Sequence, residues 1–380
     1  SVADRIIGSV SYLSDIDRES IDTKIQELVT NRRDAIKRLQ SVYNLIFKLL
    51  QDTEFTEQKQ VTTAEDFGEI LDRHLQWILS SKPVGFGDIQ KLRISLRWFF
   101  QPENWRQLLK DVALSRREKK VTWVFGILIG SFLILSRRWV NRKFKDIADC
   151  VGQQIDDSFL LTIKAVGLTL LKAVVVPFLL VFPAIQLASL PPTHPFTTII
   201  VGGLLYAAST LIFLALFYNL CRSHGLAQAH FKWPESTRLT LKRNLNWLIP
   251  FATIPAFFLG AMEKVPESEY SDSLAKLALI IQGLAISTFF ARTLRFRGGI
   301  TSILIKKHPR TWLCRLRYLW YPLSILLPLF ILFLAVIGYF YSAIEIRNLV
   351  RCTTALFLGL IVFNDLMLRM LMLARRKIAI

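Results

Sequence analysis

The chain has 380 residues, of which 52% are apolar and 20% charged, and its mean hydropathy is +0.37. Soluble domains carry about a quarter charged residues and seldom a positive mean hydropathy, so a string of soluble domains is excluded and a polytopic membrane protein is indicated. The excess of 48 Lys and Arg over 29 Asp and Glu, a formal net charge of +19, then reads as basic loops on one side of a bilayer rather than as a nucleic-acid footprint. No nucleic-acid partner is expected.

Residues 1–118 are polar and helical in pattern. Ile25, Leu28, Ile36, Leu39, Tyr43, Ile46 and Leu50 recur at three- and four-residue steps along one face, which predicts a water-facing helix. A second helix fits Ala64 to Leu79, a break falls at Lys82-Pro83, and the amphipathic stretch Ile89 to Phe100 ends in Trp98, Phe99 and Phe100 before Pro102 restarts a helix around Trp105. That aromatic end fits either a bilayer interface, with Lys91, Arg93 and Arg97 toward headgroups, or a packed amphipathic helix.

Residues 119–380 form a transmembrane region with seven apolar segments, 121–135, 173–190, 196–220, 245–262, 274–290, 320–341 and 353–373. The first is shorter than the ~20 residues that span a bilayer, and Lys120 and Arg137 at its ends would snorkel. The segments after the first, third and fifth spans are basic: Arg137 to Lys145, Arg222 to Arg243, and Arg292 to Arg317. The chain closes on Arg375, Arg376 and Lys377, while the intervening loops hold Pro191, Pro192 and Pro195, or Glu263, Glu267 and Glu269. The positive-inside rule places these basic segments and the C-terminal end in the cytoplasm and the N-terminal segment outside, with Trp139, Trp233, Trp247, Trp312 and Trp320 as an inner aromatic belt. An exported N-terminal segment calls for a signal peptide, and residues 1–30 have no apolar core of that kind, so a segment is expected upstream of Ser1. The cysteines Cys150, Cys221, Cys314 and Cys352 imply no disulfide framework.

Prolines expose a repeat. Spans two, four and six carry Pro177 and Pro183, Pro250 and Pro255, Pro322 and Pro328, at intervals of 72 or 73 residues. A basic residue precedes each pair at Lys172, Arg243 and Arg317, which reads Lys172 as an interfacial anchor. Arg222, Gly225, Leu226, His230 and Pro234 are echoed by Arg297, Gly299, Ile300, His308 and Pro309. Two spans return the chain to one face, so the units share an orientation, unlike inverted transporter repeats. The fold expected is all-α: a helical N-terminal extramembrane domain, then an array of transmembrane helical hairpins.

No enzyme signature is present, and no catalytic residue, metal site or cofactor is expected. Gly85-Phe86-Gly87 lacks the third glycine and the strand of a phosphate loop, and no Cys/His spacing suits zinc; His224 and His230 read as solvated on a basic loop. Gly126 and Gly130 form a GxxxG, a candidate helix-packing face and possible dimer contact. Asp365 and Arg369, four residues apart inside the last span, are a candidate intramembrane polar pair, read either as functional or as a pair that satisfies itself. Arg292, Arg295, Arg297, Lys306 and Lys307 are candidate contacts for anionic lipid headgroups, with topology alone as the other reading.

The strings Leu241 to Pro250 (LKRNLNWLIP), Leu294 to Ile300 (LRFRGGI), Tyr318 to Pro322 (YLWYP) and Gly338 to Glu345 (GYFYSAIE) resemble the inner-membrane region of the large mechanosensitive channels of the MscS family. The resemblance covers roughly residues 120–377, and the helical segment before it is similar to the end of that group's periplasmic domain. It implies a bacterial inner-membrane, multi-pass protein that is a homoheptamer and interacts with membrane lipids. Its peripheral helices would sense tension and open a pore during hypo-osmotic shock. It also implies a pore module after residue 380, so no pore residue is expected within this chain. A secondary transporter and a non-conducting membrane scaffold are the competing readings of the residues.

Overall fold

A computed structural model describes residues 15–75, 79, 83–85, 87–151, 158–189, 194–265, 269–295 and 315–378. All regular structure among them is helical: α1 (Asp15–Leu75), α2 (Gly87–Phe99), α3 (Pro102–Glu118), α4 (Lys120–Cys150), α5 (Phe159–Ala188), α6 (Pro195–Leu220), α7 (Leu226–Ala229), α8 (Glu235–Met262), α9 (Glu269–Thr293), α10 (Arg317–Ile337) and α11 (Phe340–Ile378). The chain divides into two units, Ser1–His74 and Leu75–Ile380.

The first unit is in essence α1, 61 residues long. The two helices expected up to Leu79 are one, because nothing between Leu50 and Ala64 breaks a helix: the stretch is rich in Gln and Glu and has neither Gly nor Pro. On its apolar face Leu28 is 69% and Leu39 71% exposed.

The second unit contains seven helices long and apolar enough to cross a membrane: α4, α5, α6, α8, α9, α10 and α11. Each packs on the next in chain order; the α5–α6, α8–α9 and α10–α11 connections are short, as antiparallel neighbours allow, while those from α6 to α8 and from α9 to α10 are longer. Several ends differ from those expected. Helix α4 continues through Arg137–Lys145 to Cys150, so the first basic segment is a helix extension and not a loop; Arg and Lys are good helix formers and no Gly or Pro intervenes before Gly152. The sixth span does not run to residue 341. It stops at Ile337, where Gly338 adopts φ 117° and returns its N–H to the Leu334 carbonyl, a left-handed cap that glycine takes without strain. Phe340 and Tyr341 therefore open α11. All six repeat prolines lie inside helices, two each in α5, α8 and α10. The first copy of the parallel string folds as α7, capped by a loop with positive φ at His224 and Lys232; its echo at Arg297–Pro309 lies outside the described residues.

Two cores form, one toward each end of the helices. One gathers Ala184, Phe196, Leu259, Leu274, Ala335 and Ala343 near the α5–α6, α8–α9 and α10–α11 connections. The other joins Phe144, Phe217, Leu226, Leu245 and Ala285. Phe99 enters the first core at 3% exposure while Phe100 remains 62% exposed, so α2 is a packed amphipathic helix that lies against α9. Edge-on contacts of Phe99 with Trp105 and Phe258, at 5.8 and 5.4 Å between centroids, lock it there.

Candidate functional site

Helix α3 precedes the first apolar helix and is fastened to the α5–α6 connection by a buried polar seam. The Thr197 hydroxyl donates to the Asp111 carboxylate at 2.5 Å, and Gln107 of α3 reaches the other carboxylate oxygen at 3.5 Å. Ser115 donates to the Gln186 carbonyl at 3.1 Å and accepts from the Trp123 indole at 3.1 Å. Lys119 Nζ reaches the Ser189 carbonyl at 3.0 Å, and Thr122 donates to Gln186 Oε1 at 3.1 Å. Asp111 and Ser115 are 3% and 0% exposed. Buried polar groups hold only when paired, so displacing α3 breaks several hydrogen bonds together. An acid on a helix of mean polarity gives no sign of this in the sequence, and the seam was not anticipated.

Gly126 and Gly130 face α5 of the same chain. A Cβ on Gly126 would lie 1.9 Å from the Phe182 ring, and one on Gly130 would lie 3.5 Å from Phe178. The small-residue face is thus occupied by aromatic rings within the chain. A tighter approach joins α6 to α8, where a Cβ on Gly202 would lie 2.7 Å from the Gly260 carbonyl oxygen and one on Gly260 would lie 2.3 Å from Tyr206 Cβ. Here backbones touch, and only glycine allows it. The Gly202-Gly203 pair within a 26-residue apolar helix was the available signal.

Asp365 and Arg369 do not satisfy each other. Trp233, just before α8, donates its indole N–H to Asp365 at 2.8 Å, and no ion pair joins Asp365 to Arg369 among the described residues. Arg369 is itself 3% exposed. Spacing along one helix placed the two on one face but said nothing of a tryptophan reaching across from 132 positions away. Arg292 stacks over the Trp247 ring at 5.5 Å and Arg295 follows the end of α9, while Arg297, Lys306 and Lys307 lie outside the described residues.

Two further assignments change. Lys172 is buried against a neighbouring helix and not turned out to headgroups: it is 7% exposed, and its ammonium donates to Asn141 of α4 at 2.6 Å. His230 is not solvated: it is 2% exposed, with its Nδ1 3.0 Å from the Thr162 hydroxyl. Cys221, at the end of α6, is fully buried, and burial pushes its thiol up to about 12 against the weaker pull of Arg238 and Lys242.

Residues 121–380 match the family described as mechanosensitive ion channel inner membrane domain 1. The miniconductance mechanosensitive channel MscM of Escherichia coli K12 is 25% identical, over 83% of this chain and 28% of its own length. The mechanosensitive channel MscK of the same strain is 22% identical, over 97% of this chain and 32% of its own length. The chain thus spans less than a third of either relative. No solved structure gives a significant match.

Proposed function

The chain belongs to the family of mechanosensitive channel inner-membrane domains, and from that premise we propose that it is the peripheral, tension-sensing membrane region of a channel that releases ions and small solutes on hypo-osmotic shock. One observation carries the reading: the most apolar stretch of α6 and of α8 is 50% buried within the chain, that of α4 17% and that of α11 11%. The row of helices therefore keeps broad apolar faces for lipid or for other copies. Tension shifts an equilibrium only between states that interact differently with the bilayer, through area, hydrophobic match or lipid occupancy. A peripheral row fastened to α3 by the Asp111–Thr197 seam supplies such surfaces and a stiff connection to them.

In this reading the subunits assemble as a homoheptamer, the pore lies in residues outside this chain, the N-terminal segment is periplasmic and the C-terminal end cytoplasmic. Arg292 and Arg295 sit at the cytoplasmic headgroup level. Patch recording from spheroplasts lacking other channels of this class tests the function. A longer chain extending past Ile380 gives stretch-activated current and residues 1–380 alone give none; current from residues 1–380 would overturn the placement of the pore. Orientation has a separate test in a background without native cysteines. Ser268→Cys reacts with an impermeant thiol reagent from outside and Ser302→Cys only after the membrane is opened, both positions lying outside the described residues. Labelling of both from one side would refute the topology.

A further inference from the structure

Helices α6, α8, α9, α10 and α11 line a cleft of about 850 Å³ that is partly open to the surroundings. Its walls are chiefly apolar, with Phe213, Leu248, Ile286, Leu332 and Leu358 among them. A cleft of this size exceeds the gaps that side-chain packing leaves in protein interiors, few of which are larger than a water molecule. It falls within the ~300–1,000 Å³ range of small-molecule sites. Water fills cavities only where polar partners are at hand, and these walls offer few.

The polar exceptions stand toward the two ends. Nine and thirteen residues past Gly338, Arg347 and Arg351 of α11 place their guanidinium carbons 5.1 and 5.5 Å from the centroid of the same Tyr206 ring. Arg347 donates to Tyr206, to Gln282 at 3.3 Å and to Asn348 at 3.2 Å; Arg351 donates to Ser209 at 3.2 Å. Every one of these acceptors is neutral, and no carboxylate lies within ion-pair distance of either guanidinium among the described residues. Two cations one helical turn apart repel each other, and both are half-buried, where a charge partly withdrawn from water is costly without a counter-charge. The other end is marked by Trp233 and Asp365. Asp365 lies 18 residues beyond Arg347, which at ~1.5 Å per residue is roughly 27 Å along α11, close to the ~30 Å of a bilayer's hydrocarbon.

We propose that this cavity binds a phospholipid of net negative charge, its phosphate held by Arg347 and Arg351 and an acyl chain lying along the apolar walls toward Leu358. The arginine fork matches phosphate oxygens, and an anion between the two guanidiniums removes their repulsion. An apolar helix from a neighbouring subunit or from elsewhere in the protein would fill the walls but leave both cations uncompensated. The site requires a bilayer around these helices, not that they respond to tension. A chain that binds the lipid without any tension response leaves it standing and overturns only the preceding reading.

Native mass spectrometry of the chain in mild detergent, after exchange with vesicles of phosphatidylglycerol or of phosphatidylcholine, tests the proposal. Phosphatidylglycerol is retained at least tenfold over phosphatidylcholine. The double variant R347Q/R351Q loses that preference, and Arg351→Gln alone, which gives up the Ser209 hydrogen bond and the stacking on Tyr206, reduces it. Leu358→Trp, which fills the apolar wall and leaves both arginines in place, lowers retention of either lipid tenfold. Equal preference in wild type and Arg351→Gln, unchanged retention in Leu358→Trp, or no bound lipid in the wild type because protein fills the cavity would each overturn the proposal. Inorganic phosphate that binds with the same affinity in Leu358→Trp while no lipid is retained would mark a free-anion site instead and overturn it as well.

Discussion

Helices α6 and α11 are both apolar spans of the same chain, yet half of the first is buried and about a tenth of the second. In α6, glycine at 202 and 203 brings the α8 backbone into contact, and Phe257 and Tyr206 close around the crossing. In α11, Gly359 has no atom within 4 Å of where a Cβ would stand, and Leu356, Phe357 and Leu360 are exposed. The same residue type therefore marks a fixed seam in one helix and an open face in the other. Rigidity concentrates in the middle of the row, and its last helix keeps surface for lipid or other copies.

Substitutions at these glycines bear on that contrast most directly. Gly260→Val puts a branched side chain where a single Cβ already meets backbone and Tyr206, and we expect a loss of at least ~3 kcal/mol, the upper part of the overpacking range, read as loss of monodisperse protein or a lowered unfolding midpoint in detergent. Gly126→Val collides with the far end of the Phe182 ring, which can turn aside, so roughly 1–2 kcal/mol is expected. Gly359→Val should fall within about 0.5 kcal/mol of wild type for the isolated chain. If it abolishes assembly while the chain stays folded, the open face of α11 is a subunit contact.

The seam at α3 lies between these extremes. Asp111→Ala leaves the Thr197 hydroxyl buried without its acceptor and should cost ~1–3 kcal/mol; no change would show that α3 is not fastened there. At α11, Asp365→Asn keeps an oxygen for the Trp233 indole and should cost under about 1 kcal/mol, whereas Trp233→Phe strands the carboxylate and should cost ~1–3 kcal/mol. Equal effects would mean that the hydrogen bond is dispensable.

The smallest effect concerns Cys221. With its thiol at about 12 against an ordinary 9.0, only ~10⁻⁴ of it is thiolate at pH 8, so Cys221 alkylates after the more accessible Cys150 and Cys352 when peptides are followed by mass spectrometry. The folded state keeps this proton while the unfolded thiol loses it. Cys221 therefore lowers stability as pH rises from 9.0 to about 12 and is without effect below that window.

The sequence determined the helical class, the seven apolar spans and the hairpin period, because bilayer thickness and the 3.6-residue turn write themselves into local composition. The family was legible too, in strings such as Leu241 to Pro250. Helix ends were less so: Arg137–Lys145 looked like a loop because charge marks where a span leaves the membrane but not where the helix stops. What only tertiary structure decided were the partners. Lys172 with Asn141, His230 with Thr162, Asp111 with Thr197 and Asp365 with Trp233 are joined across 31, 68, 86 and 132 positions, and no local pattern encodes such separations. Nothing in the sequence singled out Arg347 and Arg351; their place on one tyrosine, beside an apolar cleft, came from the packing of five helices.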